Sequence, residues 1–365
     1  MLMRQRRKTE EVPKMKNAHR ARRVLIAAAS LTLAAGCGGP QSVGTPVAVH
    51  QQALARADAM PASTGWAAAD LEAAYALPSA SEGNGQSVFI VDAYDNPNVA
   101  SDFAKYRSTM GLPPGTLAKY NQRGRQKGYP PGNSGWGVES DLDAEMVSAS
   151  CPNCAVKLIE ADSASWSDLS TAVEEAVRLG ATIVSTSFTG EIGVSEKAFQ
   201  APGVTFVAAA APDAGGIAPP AAFDTVVAVG GTVLTKASNE RGYTETVWSP
   251  SAGGCVTGES KPKWQVGNRY ANGCHGRMAD DVSAVAQGVA MYDTYSEAGW
   301  FSIDGTSIGA PLCAGIFALA GNATKQRGGR TFWAPASHHR HLFEVGGERY
   351  SAGGGWGSPD STGAF

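Results

Sequence analysis

The sequence predicts a single α/β domain built on a doubly wound, mostly parallel sheet with helices on both faces. Continuous apolar runs, such as residues 87–92 and 225–229, are typical of strands inside a parallel sheet. Segments with helical spacing alternate with these runs, which favours βαβ units. Residues 308–320 are small and apolar on every side, so we expect a helix buried in a large core.

We expect the folded domain to span residues 64–365. Helices are predicted over residues 67–76, 100–109, 137–149, 166–179 and 308–320. Strands are predicted over residues 87–92, 155–160, 182–185, 204–209, 225–229 and 300–303. Active groups of open α/β sheets gather at the carboxyl ends of the strands. Asp213 lies just past one such end, and Ser307 follows the strand at 300–303.

The first 63 residues predict export and a linker. Nine Lys or Arg residues between Arg4 and Arg23 precede a short apolar run, which is typical of a secretory signal and too short to span a membrane. Residues 1–36 are therefore predicted to be a signal peptide. The stretch ending at Cys37 resembles a bacterial lipoprotein box, so a lipidated envelope protein and a freely secreted one both stay open. Residues 37–63 predict a flexible tether.

Without that leader the protein is acidic. Nine of the 30 Lys and Arg residues lie in the leader, as do two of the 33 Asp and Glu residues. The remaining 21 basic and 31 acidic residues give a net charge of −10. A clustered basic surface is the usual footprint of nucleic-acid binding, so this balance argues against a nucleic-acid partner. We expect the protein to be a monomer.

Export permits disulfides, and the cysteine spacing favours two of them. Cys151 and Cys154 are also spaced like half of a zinc site or a redox pair. No second Cys-x-x-Cys follows and no His lies at ligand spacing, so we favour a disulfide. Cys255 and Cys274 bracket a loop and are predicted to form the second. Cys313 lies on the apolar helix and is predicted to be a buried free thiol.

Ser307 is the candidate nucleophile. It stands in a Gly-Thr-Ser turn where the buried helix begins, beside unpaired backbone N–H groups and the positive end of the helix dipole. Backbone donors of this kind stabilise a developing oxyanion. An ordinary serine helix cap has the same pattern. None of the six histidines lies on an element predicted to face Ser307, so a Ser-His-Asp triad is poorly supported.

Carboxylates are better placed to serve as the base. Glu139 and Asp143 are four residues apart on a predicted helix, so they share one face. Neighbouring carboxyls repel when both are ionised, so one keeps its proton to higher pH. A carboxyl tuned in this way can accept the serine proton. A solvated acidic face is the alternative, since Asp141 and Glu145 lie on the same helix.

Five motifs follow one another along residues 67–365. They are Trp136, Glu139, Leu142 and Asp143; residues 203–208 with Asp213 and Gly215; residues 226–232; residues 281–286; and residues 305–307. Their order resembles that of the sedolisin family, serine-carboxyl peptidases with a subtilisin-like fold. Residues 90–97 and 151–154 are similar to its bacterial branch.

The resemblance implies a serine-type endopeptidase that acts on protein or peptide substrates. It implies that Ser307 is the nucleophile, that Glu139 is its general base and acid, and that Asp143 orients Glu139. Asp213 would be a protonated carboxyl that donates a hydrogen bond to the oxyanion. A carboxyl donates only while it keeps its proton, so we expect hydrolysis at acidic pH.

The sequence departs from the family pattern around two of these residues. Pro212 precedes Asp213 where the family usually has Gly, which removes an N–H group and restricts the backbone. Asp304 stands where a Gly is common and adds a carboxyl close to the nucleophile in sequence. This carboxyl raises the pKa values of its neighbours if it is ionised nearby, and has no effect if it turns away.

The C-terminal region departs further. Sedolisins bind calcium there through two Asp side chains and backbone carbonyls. The resemblance places Glu344 and Val345 at the first Asp position and Ser351 near the second. Calcium prefers several hard oxygen ligands, so this site looks degenerate. No cofactor is expected with certainty, and calcium binding stays open.

Two other functions also stay open. The first is a catalytically weak or inactive pseudopeptidase of the same fold that acts as an envelope binding protein. The altered surroundings of Asp213 favour it, and the presence of all four catalytic residue types opposes it. The second is a subtilisin-like esterase that uses one of the histidines.

Overall fold

The computed structural model describes residues 45–46, 50–53, 60, 64–213, 216–333 and 338–365, all within the unit Gln41–Phe365. The predicted signal peptide, residues 1–36, and Cys37 lie outside the described residues. None of the helices in the described part of the chain has the length and apolarity needed to cross a membrane.

Short and long strands alternate with helices along the chain. The strands are β1 Thr45–Pro46, β2 His50–Ala53, β3 Ser87–Ala93, β4 Leu117–Asn121, β5 Ala155–Ala161, β6 Ile183–Thr186, β7 Phe188–Thr189, β8 Thr205–Ala209, β9 Pro212–Asp213, β10 Gly216–Ile217, β11 Val226–Lys236, β12 Tyr243–Val247, β13 Gly254–Cys255, β14 Met278–Ala279, β15 Val282–Val285, β16 Val289–Asp293, β17 Gly299–Asp304, β18 Leu342–Phe343 and β19 Ser358–Pro359. The α-helices are α1 Ala68–Ala74, α2 Val99–Thr109, α3 Ser134–Ser150, α4 Trp166–Arg178, α5 Gly309–Ala320 and α6 Arg330–Trp333. The 3₁₀ turns are Lys197–Phe199, Lys263–Gln265, Arg269–Ala271, Ala323–Lys325 and His338–His341.

The central sheet confirms the predicted fold class. Its strand order is β12-β11-β8-β6-β3-β5-β4, and β15 also pairs with β11. Every pair among these strands is parallel except β11 with β12. The predicted helices and strands are all present. Most bounds differ by no more than three residues, but the strand predicted over 225–229 extends to Lys236 as β11. Helix α3, for example, begins three residues early, because the Asn133 side chain accepts a hydrogen bond from the backbone N–H of Trp136 at 3.1 Å.

Both faces of the sheet are covered by helices. Along β3, Val88 and Ile90 belong to one hydrophobic cluster and Phe89 and Val91 to another, as the alternation of a strand requires. Helices α3 and α5 contribute to the first cluster, and α4 contributes to the second. The sheet is therefore buried on both sides, which explains why its strands read as unbroken apolar runs.

Helices α3 and α5 pack closely against each other, and a glycine makes this possible. A Cβ atom at Gly315 of α5 would lie 2.0 Å from Ser150 Oγ and 3.3 Å from the Val147 carbonyl oxygen, both in α3. The Ser150 hydroxyl donates to the carbonyls of Met146 and Val147 in its own helix. The close approach holds α3, which carries Glu139 and Asp143, against α5, which begins two residues after Ser307.

Two segments of the predicted tether differ from the expected irregular chain. Residues Thr45–Pro46 pair with β7, and His50–Ala53 pair with β17. Strand β17 forms a hairpin with β16, and β2 covers the other edge of β17, whose backbone groups would otherwise lack strand partners. An unpaired edge favours the addition of another strand, which is the physical reason for the difference.

The α3–α5 contact gives the first testable prediction. Replacement Gly315→Ala should lower the free energy of unfolding by about 1–3 kcal/mol, because the added methyl group overlaps Ser150 Oγ. Urea unfolding measures this change. The double variant Ser150→Ala, Gly315→Ala removes that oxygen and should recover part of the loss. Gly135→Ala is the control, since its Cβ would meet only ordinary contacts. Equal stability of all four proteins would contradict the close packing.

Candidate active site

The acidic residues of α3 are buried. Glu139, Asp141, Asp143 and Glu145 are each 0% exposed, so the solvated acidic face considered from sequence is wrong. Asp143 accepts a hydrogen bond from the hydroxyl of Ser187, which follows the carboxyl end of β6, at 2.8 Å. Burial raises the pKa of the Asp143 carboxyl, and the nearby carboxyls of Asp92 and Glu139 raise it further.

Asp92 is a third carboxyl in this group. It lies near the carboxyl end of β3 with 0% exposure, and neither of its oxygens has a hydrogen-bond partner among the described residues. Burial raises its pKa, followed by the charges of Glu139 and Glu160. Sequence reasoning did not assign Asp92 to the site. A usable signal was its position at the end of a central parallel strand, where active groups gather.

Glu160 is a further buried carboxyl beside this cluster, one strand along the sheet from Asp92. It lies opposite Asp92 in the neighbouring strand β5. Its carboxylate accepts the backbone N–H of Asn96 and lies 3.3 Å from the Lys119 ammonium group. Burial raises the pKa of Glu160 to about 8, although Lys119 opposes the shift.

Ser307 lies in the turn that leads into α5. The N–H of Gly305 donates to the carbonyl of Ala286, the residue after β15, at 2.8 Å. Ser307 itself is 0% exposed. Its hydroxyl has no hydrogen-bond partner among the described residues, Glu139 included. It is therefore available to a molecule or a rearranged side chain that reaches it.

The sheet places these groups along one edge. Ser187 follows β6, the Asp213 segment follows β8, and the Ser307 turn is bonded to the end of β15. These strands run parallel, so their carboxyl ends meet at the same edge. Neighbouring strands lie about 4.8 Å apart. The backbone of Asp213 is in β9, paired with Gly216, and its side chain is outside the described part of the structure.

Two relatives are similar to the chain in sequence. Kumamolisin from Bacillus sp. (strain MN-32) is 30% identical over 298 residues, which are 70% of this chain and 52% of kumamolisin. Sedolisin from Pseudomonas sp. (strain 101) is 31% identical over 169 residues, which are 40% of this chain and 28% of that protein. The chain belongs to the sedolisin family. It spans about half the length of kumamolisin, and no family model matches it.

Solved structures show the same fold. The structure of Pseudomonas sedolisin, a serine-carboxyl proteinase complexed with two molecules of pseudo-iodotyrostatin, has a TM-score of 0.66 at 22% identity. The match covers 82% of this chain and 96% of that one. Fervidolysin from Fervidobacterium pennivorans, a keratinolytic enzyme related to subtilisin, has a TM-score of 0.54 at 13% identity and covers 88% and 50% of the two chains. The subtilisin-like fold implied by the sequence is thereby confirmed.

Asp304, which departs from the sedolisin pattern, turns towards a neighbouring loop. Its carboxylate accepts the backbone N–H of Gly288 at 2.7 Å and the side-chain amide of Gln287 at 3.5 Å. The carboxylate therefore braces the β16–β17 hairpin.

The histidines whose side chains the structure describes do not contact Ser307 through a hydrogen bond. His339 is bonded to the Phe332 carbonyl at 2.8 Å and stacks on Trp356. His275 is exposed, and His341 is half-buried beside Gly363. None of them is a hydrogen-bond partner of Ser307. The esterase hypothesis therefore gains no support from the described residues.

Both predicted cysteine pairs form disulfides in the structure. Cys151 is bonded to Cys154 directly after α3, and Cys255 to Cys274 across a loop. The Cα atoms are 5.4 Å apart in each pair. Cys313 is a buried free cysteine, and burial raises the pKa of its thiol.

The expected calcium ligands are poorly arranged for an ion. The Glu344 side chain is exposed, and Val345 is buried. Glu344 lines a surface cavity of about 1010 Å³ together with Glu240, Arg241 and Asp360. The three acidic side chains that the described structure brings within 4.8 Å of one another do not include Glu344. A degenerate calcium site at Glu344 and Val345 stays a prediction, and calcium binding there stays open.

The buried carboxyls predict a protein that is most stable in acid. A carboxyl whose pKa is raised by folding stabilises the folded state below its unfolded pKa, and this contribution is lost as pH rises through the folded pKa. For Glu160 that window runs from 4.5 to about 8. The free energy of unfolding should therefore fall as pH rises through this window. In Glu160→Gln the fall should be smaller than in the unchanged protein by about a few kcal/mol.

Urea unfolding at pH 4, 6 and 8 measures this dependence. The control is Glu174→Gln, which removes an exposed carboxyl from α4. Its pH profile should follow that of the unchanged protein. Identical profiles for Glu160→Gln and the unchanged protein would show that Glu160 does not contribute to the pH dependence of the free energy of unfolding.

Proposed function

We propose that this protein is an exported serine-carboxyl peptidase that hydrolyses peptide bonds at acidic pH. The observation that carries the proposal is the buried group of Glu139, Asp143 and Asp92, next to the close contact between α3 and α5. Glu139 and Asp143 are one helical turn apart on α3, and Asp92 is in β3, which packs against α3. Both other carboxyls raise the pKa of Asp143. Membership of the sedolisin family supports the same activity.

Each proposed catalytic residue has one task. Ser307 Oγ attacks the carbonyl carbon of the peptide bond, and its proton passes to Glu139, which Asp143 orients. The carbonyl oxygen becomes an oxyanion that accepts a hydrogen bond from protonated Asp213. When the C–N bond breaks, the leaving amine takes the proton from Glu139. Water then hydrolyses the acyl-enzyme by the same steps in reverse, with Glu139 again as base and acid.

The acidic pH range follows from the same groups. Asp213 donates a hydrogen bond only while it is protonated, and the raised pKa values of Asp92 and Asp143 support a site whose carboxyls keep their protons in acid. Rising pH removes these protons and brings negative charges together in a buried space. We therefore propose that activity is highest in acid and falls towards neutral pH.

A pseudopeptidase is the second candidate. It is favoured by one observation: the Ser307 hydroxyl has no hydrogen-bond partner in the described part of the chain. A fluorophosphonate probe distinguishes the two candidates, because it labels a serine only where a base activates it. Labelling at Ser307, located by peptide mass spectrometry, supports the peptidase; absence of label across pH 3–7 supports the binding protein.

The catalytic assignment predicts large losses from two substitutions. Ser307→Ala should lower kcat/KM for a denatured protein or peptide substrate by at least about a thousandfold, because no nucleophile remains. Glu139→Gln should lower it by about 10²–10⁴-fold, because an amide cannot accept the serine proton. Initial rates between pH 3 and 7 measure both.

Ser302→Ala is the matched control for these variants. It removes a half-buried hydroxyl from β17, five residues before Ser307, and should leave kcat/KM unchanged. All three variants are purified in the same way, so a contaminating peptidase would give equal rates in each. Near-normal rates in Ser307→Ala would overturn the proposal.

Export by residues 1–36 is part of the proposal and has its own test. Mass spectrometry of protein from bacterial cells that express the full sequence should show a mature chain beginning at Cys37 with a mass increase from bound acyl groups. Cys37→Ala should lose that increase and appear in the medium. An unmodified chain cut at another residue would favour free secretion.

A further inference from the structure

A second acidic group lies on the opposite side of α3 from Glu139 and Asp143. It consists of Asp102 from α2, Asp141 from α3 and Asp293 at the end of β16. One carboxylate oxygen from each lies within 4.8 Å of the others. The three residues are 2%, 0% and 0% exposed, respectively.

Only some of the carboxylate oxygens in this acidic cluster accept hydrogen bonds from the rest of the protein. Asp102 accepts the backbone N–H and the hydroxyl of Thr294. Asp141 Oδ2 accepts the side-chain amide of Asn96 at 2.8 Å, and Asp293 Oδ1 accepts the backbone N–H groups of residues 296 and 297. Asp141 Oδ1 and Asp293 Oδ2 are buried with no partner among the described residues. The carboxyls of Asp141 and Asp293 lie close enough to hydrogen-bond to each other when one is protonated, so only a shared proton or a bound cation can satisfy these two oxygens.

None of the salt bridges within the described part of the chain involves Asp102, Asp141 or Asp293. Arg107, one turn further along α2, donates instead to Ser148 and to the carbonyls of Pro113 and Pro152. Glu145 adds a fourth buried carboxyl, and its Oε1 atom also lacks a partner. Burial of unbalanced carboxylates is costly, so protons or a bound cation must neutralise them.

We propose that Asp102, Asp141 and Asp293 bind one Ca²⁺ ion. Calcium takes carboxylate oxygens at 2.3–2.6 Å, so oxygens that share an ion lie up to about 5 Å apart. The spacing of 4.8 Å or less fits this requirement. The unpaired oxygens of Asp141 and Asp293 are the direct ligands. This site is separate from the one expected at Glu344 and Val345.

The ion would join parts of the chain that approach the candidate active site. The turn after Asp293 already contacts the start of α3, because the Ser296 hydroxyl donates to the Ser134 carbonyl at 2.6 Å. The Tyr295 ring lies so close to Gly137 that a Cβ atom there would be 2.7 Å from it. Bound calcium therefore fixes α3 against the β16–β17 hairpin, whose second strand leads to the Ser307 turn.

Calcium titration of the full chain, purified in EDTA and exchanged to pH 7, tests the proposal. Isothermal calorimetry should detect an ion that Asp141→Asn and Asp293→Asn each bind at least tenfold more weakly. Both substitutions keep an acceptor oxygen for the existing hydrogen bonds. Glu344→Gln is the control: it should keep this ion, which separates the proposed site from the C-terminal one.

The unfolding temperature gives a second measurement. The difference between Asp141→Asn and the unchanged protein should change between EDTA and Ca²⁺. In EDTA, Asp141→Asn should unfold at a higher temperature than the unchanged protein, because one buried negative charge is gone. With Ca²⁺ at about 100 times its Kd, the unchanged protein should gain roughly 5 °C and the variant should gain little.

Two results would overturn the site. One is equal calcium affinity in Asp141→Asn, Asp293→Asn and the unchanged protein. The other is a folded unchanged protein whose unfolding temperature at pH 7 does not respond to Ca²⁺ or EDTA, which would assign the space between Asp141 and Asp293 to a shared proton. If one Asn variant fails to fold, the other variant and the calcium response of the unchanged protein still decide the question.

Discussion

The burial of carboxyl groups along α3 is the constraint on which the rest of the site depends. Helices inside a core are usually apolar, and each buried carboxylate must be protonated, hydrogen-bonded or paired with a cation. Helix α3 keeps four of them out of water. Its surroundings must therefore supply protons or counter-ions, and burial raises the pKa values of Asp141, Asp143 and Glu145.

The helical period divides these four carboxyls into two pairs with different environments. Glu139 and Asp143 face the end of β3 and the Ser187 hydroxyl after β6. Asp141 and Glu145 face α2 and the hairpin strand β16. Residues two apart on a helix point to nearly opposite sides. One helix thus serves a candidate catalytic group on one side and a candidate cation site on the other.

The sheet and the helix contacts convert this arrangement into a candidate active site. Parallel strands bring the segments after β6, β8 and β15 to one edge. The α3–α5 contact at Gly315 holds the helix that carries Glu139 against the helix that follows the Ser307 turn. The likeness to Pseudomonas sedolisin is a likeness of this scaffold. Asp304 departs from the sedolisin pattern close to Ser307 in sequence. Its carboxylate bonds to the backbone N–H of Gly288 and braces the β16–β17 hairpin, so this departure need not alter the nucleophile.

The sequence by itself determined the order of the main helices and of the long buried strands, the family and the residue types of the candidate site, because apolar periodicity and motif order are properties of the chain alone. It did not predict β1 and β2, which lie in the expected tether. It also placed Glu139 and Asp143 on one helix face. Only the tertiary structure decided that this face is buried and which groups meet it. Asp92 and Asp293 are distant from α3 in sequence, and helical spacing tells which side chains share a face but not what that face contacts.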